Sequence, residues 1–352
     1  MRTGCVSRSA SLIALLAVVA FLLATPAFAQ DCPEFVGWFE TPLFPYGLAV
    51  SGGYAYVASS DIPPSGLYVI DVSVPSAPVE VGFVEIPGVP RDVAVSGGYA
   101  YITDTTEGLR VIDVRTPSAP VEVGYIQIGG AFYVAVSGGY AYVEAGLHVI
   151  DVTTPSAPVL VGFVPTGIGD VAVLGSYAYV AAGDLHVIDV STPSAPVEVG
   201  FLDTLYAIGW VAVSGGYAYV GFIGGTHGPF GLYVIDVSLP TAPVEVGFLD
   251  MPTSAWDVAV SRGYAYVAVG NYYSGGLYVI DVSTPSAPVE VGFYETGGAP
   301  MDYPFMYEGV AVSDGSVFFA AYRDLYVFRE CGRLFADDFE SGDTSAWSAT
   351  VP

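Results

Sequence analysis

Lysine is absent from this chain, and its nine arginines stand against 35 acidic residues, so the formal charge at neutral pH is -26. A field of that sign repels phosphate backbones and anionic membrane surfaces, which excludes nucleic acid as a partner. Histidine is scarce too, with three in 352 residues. No zinc spacing, nucleophile elbow, phosphate loop or fixed acid-base pair occurs, so the chain is not expected to be an enzyme. Beyond residue 29 every apolar stretch meets Gly or Pro within about ten residues, short of the roughly 20 that span a bilayer. Helical periodicity is missing as well, which leaves an all-α or α/β fold without support.

The one long apolar run, Leu12 to Leu23, follows Arg2 and Arg8 and precedes the small-residue site Ala27-Phe28-Ala29. That order reads as a secretory signal peptide over residues 1–29. Ala29-Gln30-Asp31 lacks the small and aliphatic pattern that precedes a lipid-modified cysteine, so no lipid anchor is expected. Cleavage removes two arginines, and the charge becomes 7 - 35 = -28. The expected location is the exterior or the cell surface, by bacterial export.

What the chain does contain is one segment written seven times. The clearest copy is Val211-Ala-Val-Ser-Gly-Gly-Tyr-Ala-Tyr-Val220, then Gly231-Leu-Tyr-Val-Ile-Asp-Val237, then Pro240-Thr-Ala-Pro-Val-Glu-Val-Gly-Phe248. The first element recurs at Leu48, Val93, Val134, Val171, Val258 and Val310, with spacings of 45, 41, 37, 40, 47 and 52 residues. Strand-like repeats of that length predict an all-β fold, a seven-bladed β-propeller of four-stranded blades. Paired glycines such as Gly97-Gly98 suit a two-residue hairpin between the first two strands. The strands are apolar on both faces, as sheets sandwiched between neighbours must be. Domain limits follow as 1–29 signal peptide, 30–332 propeller and 333–352 tail.

The Val-Ile-Asp-Val cores and Tyr-Ala-Tyr-Val strands resemble the LVIVD family of secreted propeller repeats, from residue 48 to about 330. The resemblance implies the fold but no shared chemistry. The last copy departs most, with Arg329 where Asp71, Asp113, Asp151, Asp189, Asp236 and Asp281 stand elsewhere. Those aspartates precede a Ser-x-Pro turn and are expected to accept its backbone hydrogen bonds. On the fourth strand Glu80, Glu122, Glu198, Glu245 and Glu290 recur, with Leu160 the exception. Charge there is expected to keep an exposed edge from pairing with another chain.

The last copy also lacks a fourth strand, and Pro33-Glu-Phe-Val-Gly-Trp-Phe39 matches the missing piece, so the N-terminal strand is expected to close the ring. Alignment on an intact blade sets Cys331 at the place of Ser73 and Cys32 at the place of Ala77. Those places flank one short turn, close enough for a disulfide in an oxidising compartment.

Hairpin loops on one face barely vary, whereas connections on the other differ in every blade, and binding residues tend to sit on such loops. The variable loops carry Phe222, His227, Phe230, Tyr272, Tyr273, Tyr303, Phe305 and Tyr307 with Asp61 and Asp302, and Trp210 and Trp256 lie in neighbouring crossings. Aromatics beside acids suit sugars or cationic side chains, or else they pack the loops onto the rim. Asp92, Asp170 and Asp257 precede innermost strands near the channel mouth, where calcium is the one cofactor they suggest, with loop capping as the alternative. His148 and His186 share a repeat position with tyrosines on other blades and are not expected to be ligands. The tail's Phe339-Glu-Ser-Gly-Asp-Thr-Ser-Ala-Trp-Ser348 resembles a short segment ending secreted bacterial proteins, which implies sorting or surface display; a merely disordered acidic end is the alternative. The reading is a binding or interaction module for a protein or carbohydrate ligand; a carbohydrate-active hydrolase or lyase on the same face is the alternative.

Overall fold

Every repeat meets the same constraint: its strands have no polar face, so each sheet must be covered on both sides. A ring of sheets standing side by side satisfies that constraint, and this is what a computed structural model of the chain shows. It describes residues 32–41, 45–60, 64–204, 208–222, 230–270, 275–296 and 309–332. Within them lie seven four-stranded antiparallel sheets, each a blade of one β-propeller. The expected signal peptide and tail lie outside the described residues.

Blade one shows the pattern: Pro45–Ser51 innermost, then Tyr54–Ser59, Gly66–Asp71 and the outer strand Val79–Glu85. Gly52 and Gly53 join the first two strands with φ of 60° and 80°. Two successive positive φ values match the right-handed twist of a hairpin and are readily adopted only without a Cβ. In the next strands, residues alternate between the two neighbouring blades. Ala55, Val57, Tyr68 and Ile70 are buried against blade seven. Tyr56, Ala58, Leu67 and Val69 are buried against blade two. The core is thus a set of layers between blades, where each buried Val, Leu or Ile contributes about 1.5–3 kcal/mol over its exposed state.

The turns behave as expected. The Asp71 carboxylate accepts the Ser73 N–H and hydroxyl at 2.9 and 2.6 Å, and Asp151 does the same for Thr153. Each outer strand then meets the next blade's turn. A Cβ on Gly82, Gly124, Gly162, Gly200 or Gly247 would strike the carbonyl oxygen of Pro117, Pro155, Pro193, Pro240 or Pro285, respectively. The glycine of Val-Glu-Val-Gly-Phe is therefore where one blade touches the next. Blade seven has no such turn, and the Cys32 carbonyl takes its place against Gly292.

The ring closes as the repeat pattern requires. Glu34–Glu40 pairs antiparallel with Asp324–Arg329 and completes blade seven. Glu34 lies opposite Arg329, whose Nη1 is 2.7 Å from the Glu34 carboxylate. The departure from Asp at 329 thus has a local partner: where other blades place a turn acceptor, blade seven places a cation that pairs with Glu34 of the closing strand. Cys32 and Cys331 form a disulfide with their Cα atoms 5.9 Å apart, and the Cys331 N–H donates to the Tyr266 hydroxyl at 2.8 Å.

Candidate functional site at the channel mouth

Inside each blade, the residue just before the innermost Val or Leu points toward the ring axis. Around the ring these residues are Gly47, Asp92, Tyr133, Asp170, Trp210, Asp257 and Gly309, and with Tyr46, Leu48, Arg91 and Trp256 they line one cavity of about 60 Å³. Carboxylates stand on alternate blades, two, four and six. The cavity opens on the face of the variable connections, since each lining residue follows a crossing from the preceding blade's outer strand.

Each carboxylate is held in the same way. Asp92 accepts the Val93 N–H with Oδ1 at 2.7 Å and, with Oδ2, the N–H of Val134 on the next blade at 2.9 Å. Asp170 bonds Val171 at 2.7 Å and Val211 at 3.0 Å, and Asp257 bonds Val258 at 2.7 Å and Val310 at 2.8 Å. Each side chain therefore latches its own blade to the following one. A carboxylate has about four lone-pair sites, so each oxygen keeps one for the cavity.

Burial and crowding oppose ionisation there. Burial, then the neighbouring Asp170 charge, pushes Asp92 up to about 7 despite its two N–H bonds. Burial raises Asp170 to about 6, and burial with the Asp170 charge raises Asp257 well above the usual carboxylate range. On the neighbouring blade, burial raises Glu144 to about 7. Arg91 is the cavity's one basic residue, its guanidinium 4.9 Å from the Tyr46 ring centre. Trp210 is buried and packs edge-on against Trp256 at 5.5 Å, while Trp256 Nε1 donates to the Gly270 carbonyl at 2.7 Å.

Among the described residues no group of three or more His, Cys, Asp or Glu side chains forms a metal-holding set. Asp92, Asp170 and Asp257 share a cavity without converging on one ion, and their evident work is the latch between blades. His148 packs tilted against Phe163 and His186 edge-on against Phe201, with ring centres 4.8 and 5.2 Å apart. Tyr68 on Phe83 and Tyr278 on Phe293 make the same cross-strand pair, so the shared position is a packing position.

Of the sequence-derived aromatics, Phe230 lies in the strand Phe230–Asp236 and packs partly buried against the layer between blades five and six. Phe222 ends the strand Tyr217–Phe222, and its side chain is outside the described residues. His227, Tyr272, Tyr273, Tyr303, Phe305 and Tyr307, with Asp61 and Asp302, also lie outside them. Trp210 and Trp256 are brought together with the three aspartates. Reading the residues singly missed Tyr46, Arg91 and Tyr133; aligning the repeats on the position before the innermost valine would have found Tyr133.

The LVIVD repeat matches residues 46–85, 87–127, 128–166, 168–204, 209–250 and 252–296, six consecutive blades. This chain belongs to the LVIVD-repeat family. Blade seven, divergent and built from both chain ends, falls outside those matches. No curated protein matches the LVIVD chain. Among solved structures, a chain of a mitotic checkpoint complex superimposes with TM-score 0.65 at 12% identity, covering 94% of this chain and 98% of that one. The computationally designed Ika8 protein superimposes with TM-score 0.58 at 11% identity, covering 84% and 99%. At such identity these likenesses show the fold alone. The disulfide is compatible with an extracellular protein, and among the described residues no helix is long and apolar enough to cross a membrane.

Proposed function

We propose that this LVIVD protein is an exported binding module that takes the cationic tip of a protein or carbohydrate ligand, an ammonium or guanidinium, into the channel mouth. The observation that carries the reading is the cavity itself, where three carboxyls and two tryptophans face one small volume. Its size decides between ligand classes: about 60 Å³ is far below the roughly 300–1,000 Å³ of a site that swallows a drug-sized molecule. A sugar ring or side-chain stem would rest on the variable face while the charged tip enters. A cation displaces the protons that burial holds on Asp92 and Asp170, and aromatic faces add about 0.5–2 kcal/mol.

Titration of the protein with ethylammonium, methylguanidinium and uncharged glycerol, followed by tryptophan fluorescence and calorimetry, tests this. The cations should bind and release protons near pH 6, glycerol should not, and Asp170→Asn should weaken both cations. Equal response to all three sinks the reading. A second reading, hydrolysis of a carbohydrate with a raised carboxyl as general acid, draws on the same elevated Asp92 and Asp170. Product formation from a polysaccharide panel, lost in Asp92→Asn, would favour it.

A further inference from the structure

The cavity at the channel mouth holds charge of both signs, and the positive one has a place of its own. One position before each axis-facing residue, blades one to six carry Tyr46, Arg91, Phe132, Gly169, Gly209 and Trp256, so Arg91 is the basic exception at that register. Its guanidinium lies 4.9 Å from the Tyr46 ring centre and 5.8 Å from the Phe132 ring centre, flanked by the aromatic residues of the two neighbouring blades. Aromatic rings cover the faces of a guanidinium and leave its donors in plane, as a fork that matches a carboxylate.

Neutralising Asp92 would be the simplest role for Arg91, and the latch does not require it. Asp170 and Asp257 make the same two N–H bonds with Gly169 and Trp256 standing where Asp92 has Arg91. The guanidinium works against the rise of Asp92, whereas Asp170 is shifted by burial and its two N–H bonds. The cavity therefore has a positive end at blade two and carboxyls on blades four and six away from it.

We infer that the channel mouth selects a zwitterion, the head of an α-amino acid, with its carboxylate on Arg91 and its ammonium on Asp170 and Asp257. This rests on the reading above that a cation enters the cavity, and it adds the anion that must come with it. Size agrees: at roughly 10–15 Å³ for each water-sized group, about 60 Å³ holds about four to six of them. An ammonium alone fills a fraction of that space, and a head of one nitrogen, two carbons and two oxygens fills it. The remainder of the ligand leaves by the variable face, where blades three and four have short connections, Ala145-Gly146 and Gly183. Ile168, 68% exposed in the crossing between those blades, offers it an apolar contact.

Calorimetric titration of the purified full chain with glycine, glycinamide and propionate at neutral pH tests this. Glycinamide keeps the ammonium and the size of glycine without the carboxylate, and propionate keeps the carboxylate without the ammonium. Glycine should bind about 10- to 100-fold tighter than glycinamide, as a hydrogen bond between charged groups is worth, and propionate should not bind. Arg91→Met, which keeps an unbranched stem between the rings, should erase that preference, and Arg91→Lys should restore part of it. The comparison of ligands on the unaltered protein gives an answer even where a variant folds poorly. Nε-acetyl-lysine beside glycine separates two sources of the same head: tighter binding assigns a head displayed on an arm, and equal or weaker binding a small free amino acid. Glycinamide binding as tightly as glycine, or a preference that survives Arg91→Met, overturns the inference and leaves cation binding standing. Binding of neither glycine nor glycinamide overturns both.

Discussion

Replacing Gly124 by alanine should loosen the contact between blades two and three, and a nearby glycine supplies the control. A Cβ on Gly124 lands on the Pro155 carbonyl oxygen, with the carbonyl carbon 3.0 Å away and the Ser156 Cα at 3.2 Å. All three are backbone atoms of a turn pinned by the Asp151 carboxylate, so no rotamer change relieves the clash. Overpacking of that kind costs about 1–3 kcal/mol, and the rigid obstacle points to the upper half. Substituting a strand glycine returns about 0.5–1 kcal/mol, which leaves a net loss of about 1–2 kcal/mol. With roughly 2.1 cal/mol/K of unfolding entropy per residue over some 300 folded residues, that loss lowers the melting temperature by about 2–3 °C. Gly129 has no atom within 4 Å of its Cβ and no positive φ, so Gly129→Ala should melt at or slightly above the parent temperature. Differential scanning calorimetry of both variants decides the matter. If the two melt alike, the glycine does not mark the blade contact and the explanation of its recurrence fails.

The double variant Cys32→Ser with Cys331→Ser removes a link across 299 positions, worth about 5–6 kcal/mol in the loop-entropy model, though measured losses run nearer 2–5 kcal/mol; calorimetry under non-reducing conditions should show the melting point fall by several degrees, and an unchanged value would mean that strand pairing alone secures the seam. The raised carboxyls of Asp92, Asp170 and Glu144 bind more protons folded than unfolded, so their contribution to stability is full below about pH 4 and is lost as pH rises through 6 and 7. Melting temperatures should therefore decline from pH 5 to pH 8, and Asp92→Asn with Asp170→Asn should flatten that slope; a flat profile in the parent protein refutes the assignment. Arg110 is buried among Asp104, Glu107 and Glu122, so Arg110→Met should destabilise by about 1.5–3 kcal/mol, since the buried Asp104 loses its cation and keeps only the Val89 and Thr106 hydrogen bonds, a loss that urea unfolding would register and that a null result would exclude.

The repeated residues determined most of the architecture by themselves. Strand identity, blade number, the Asp-capped turns and the closing strand all depend on interactions within one repeat or on the match between one repeat and the next. Period, turn chemistry and apolar faces are local properties, and a linear pattern expresses them directly. The disulfide was legible for the same reason, because Cys32 and Cys331 occupy two ends of a turn that six other repeats write out in full.

Contacts between blades were decided only by the tertiary structure. Asp92, Asp170 and Asp257 read as loop caps or ion ligands when each is seen in its own repeat. Closing the ring places each beside the N–H of the following blade, and it sets all three around one axis with Trp210 and Trp256. The strand glycine likewise looked like part of a β motif, yet the atom that excludes a Cβ is a proline carbonyl about thirty to forty residues further along the chain. The elevated carboxyls have the same origin, since their desolvation comes from neighbouring blades. A sequence orders residues along a line, whereas burial and charge crowding at the channel mouth arise from bending that line into a circle.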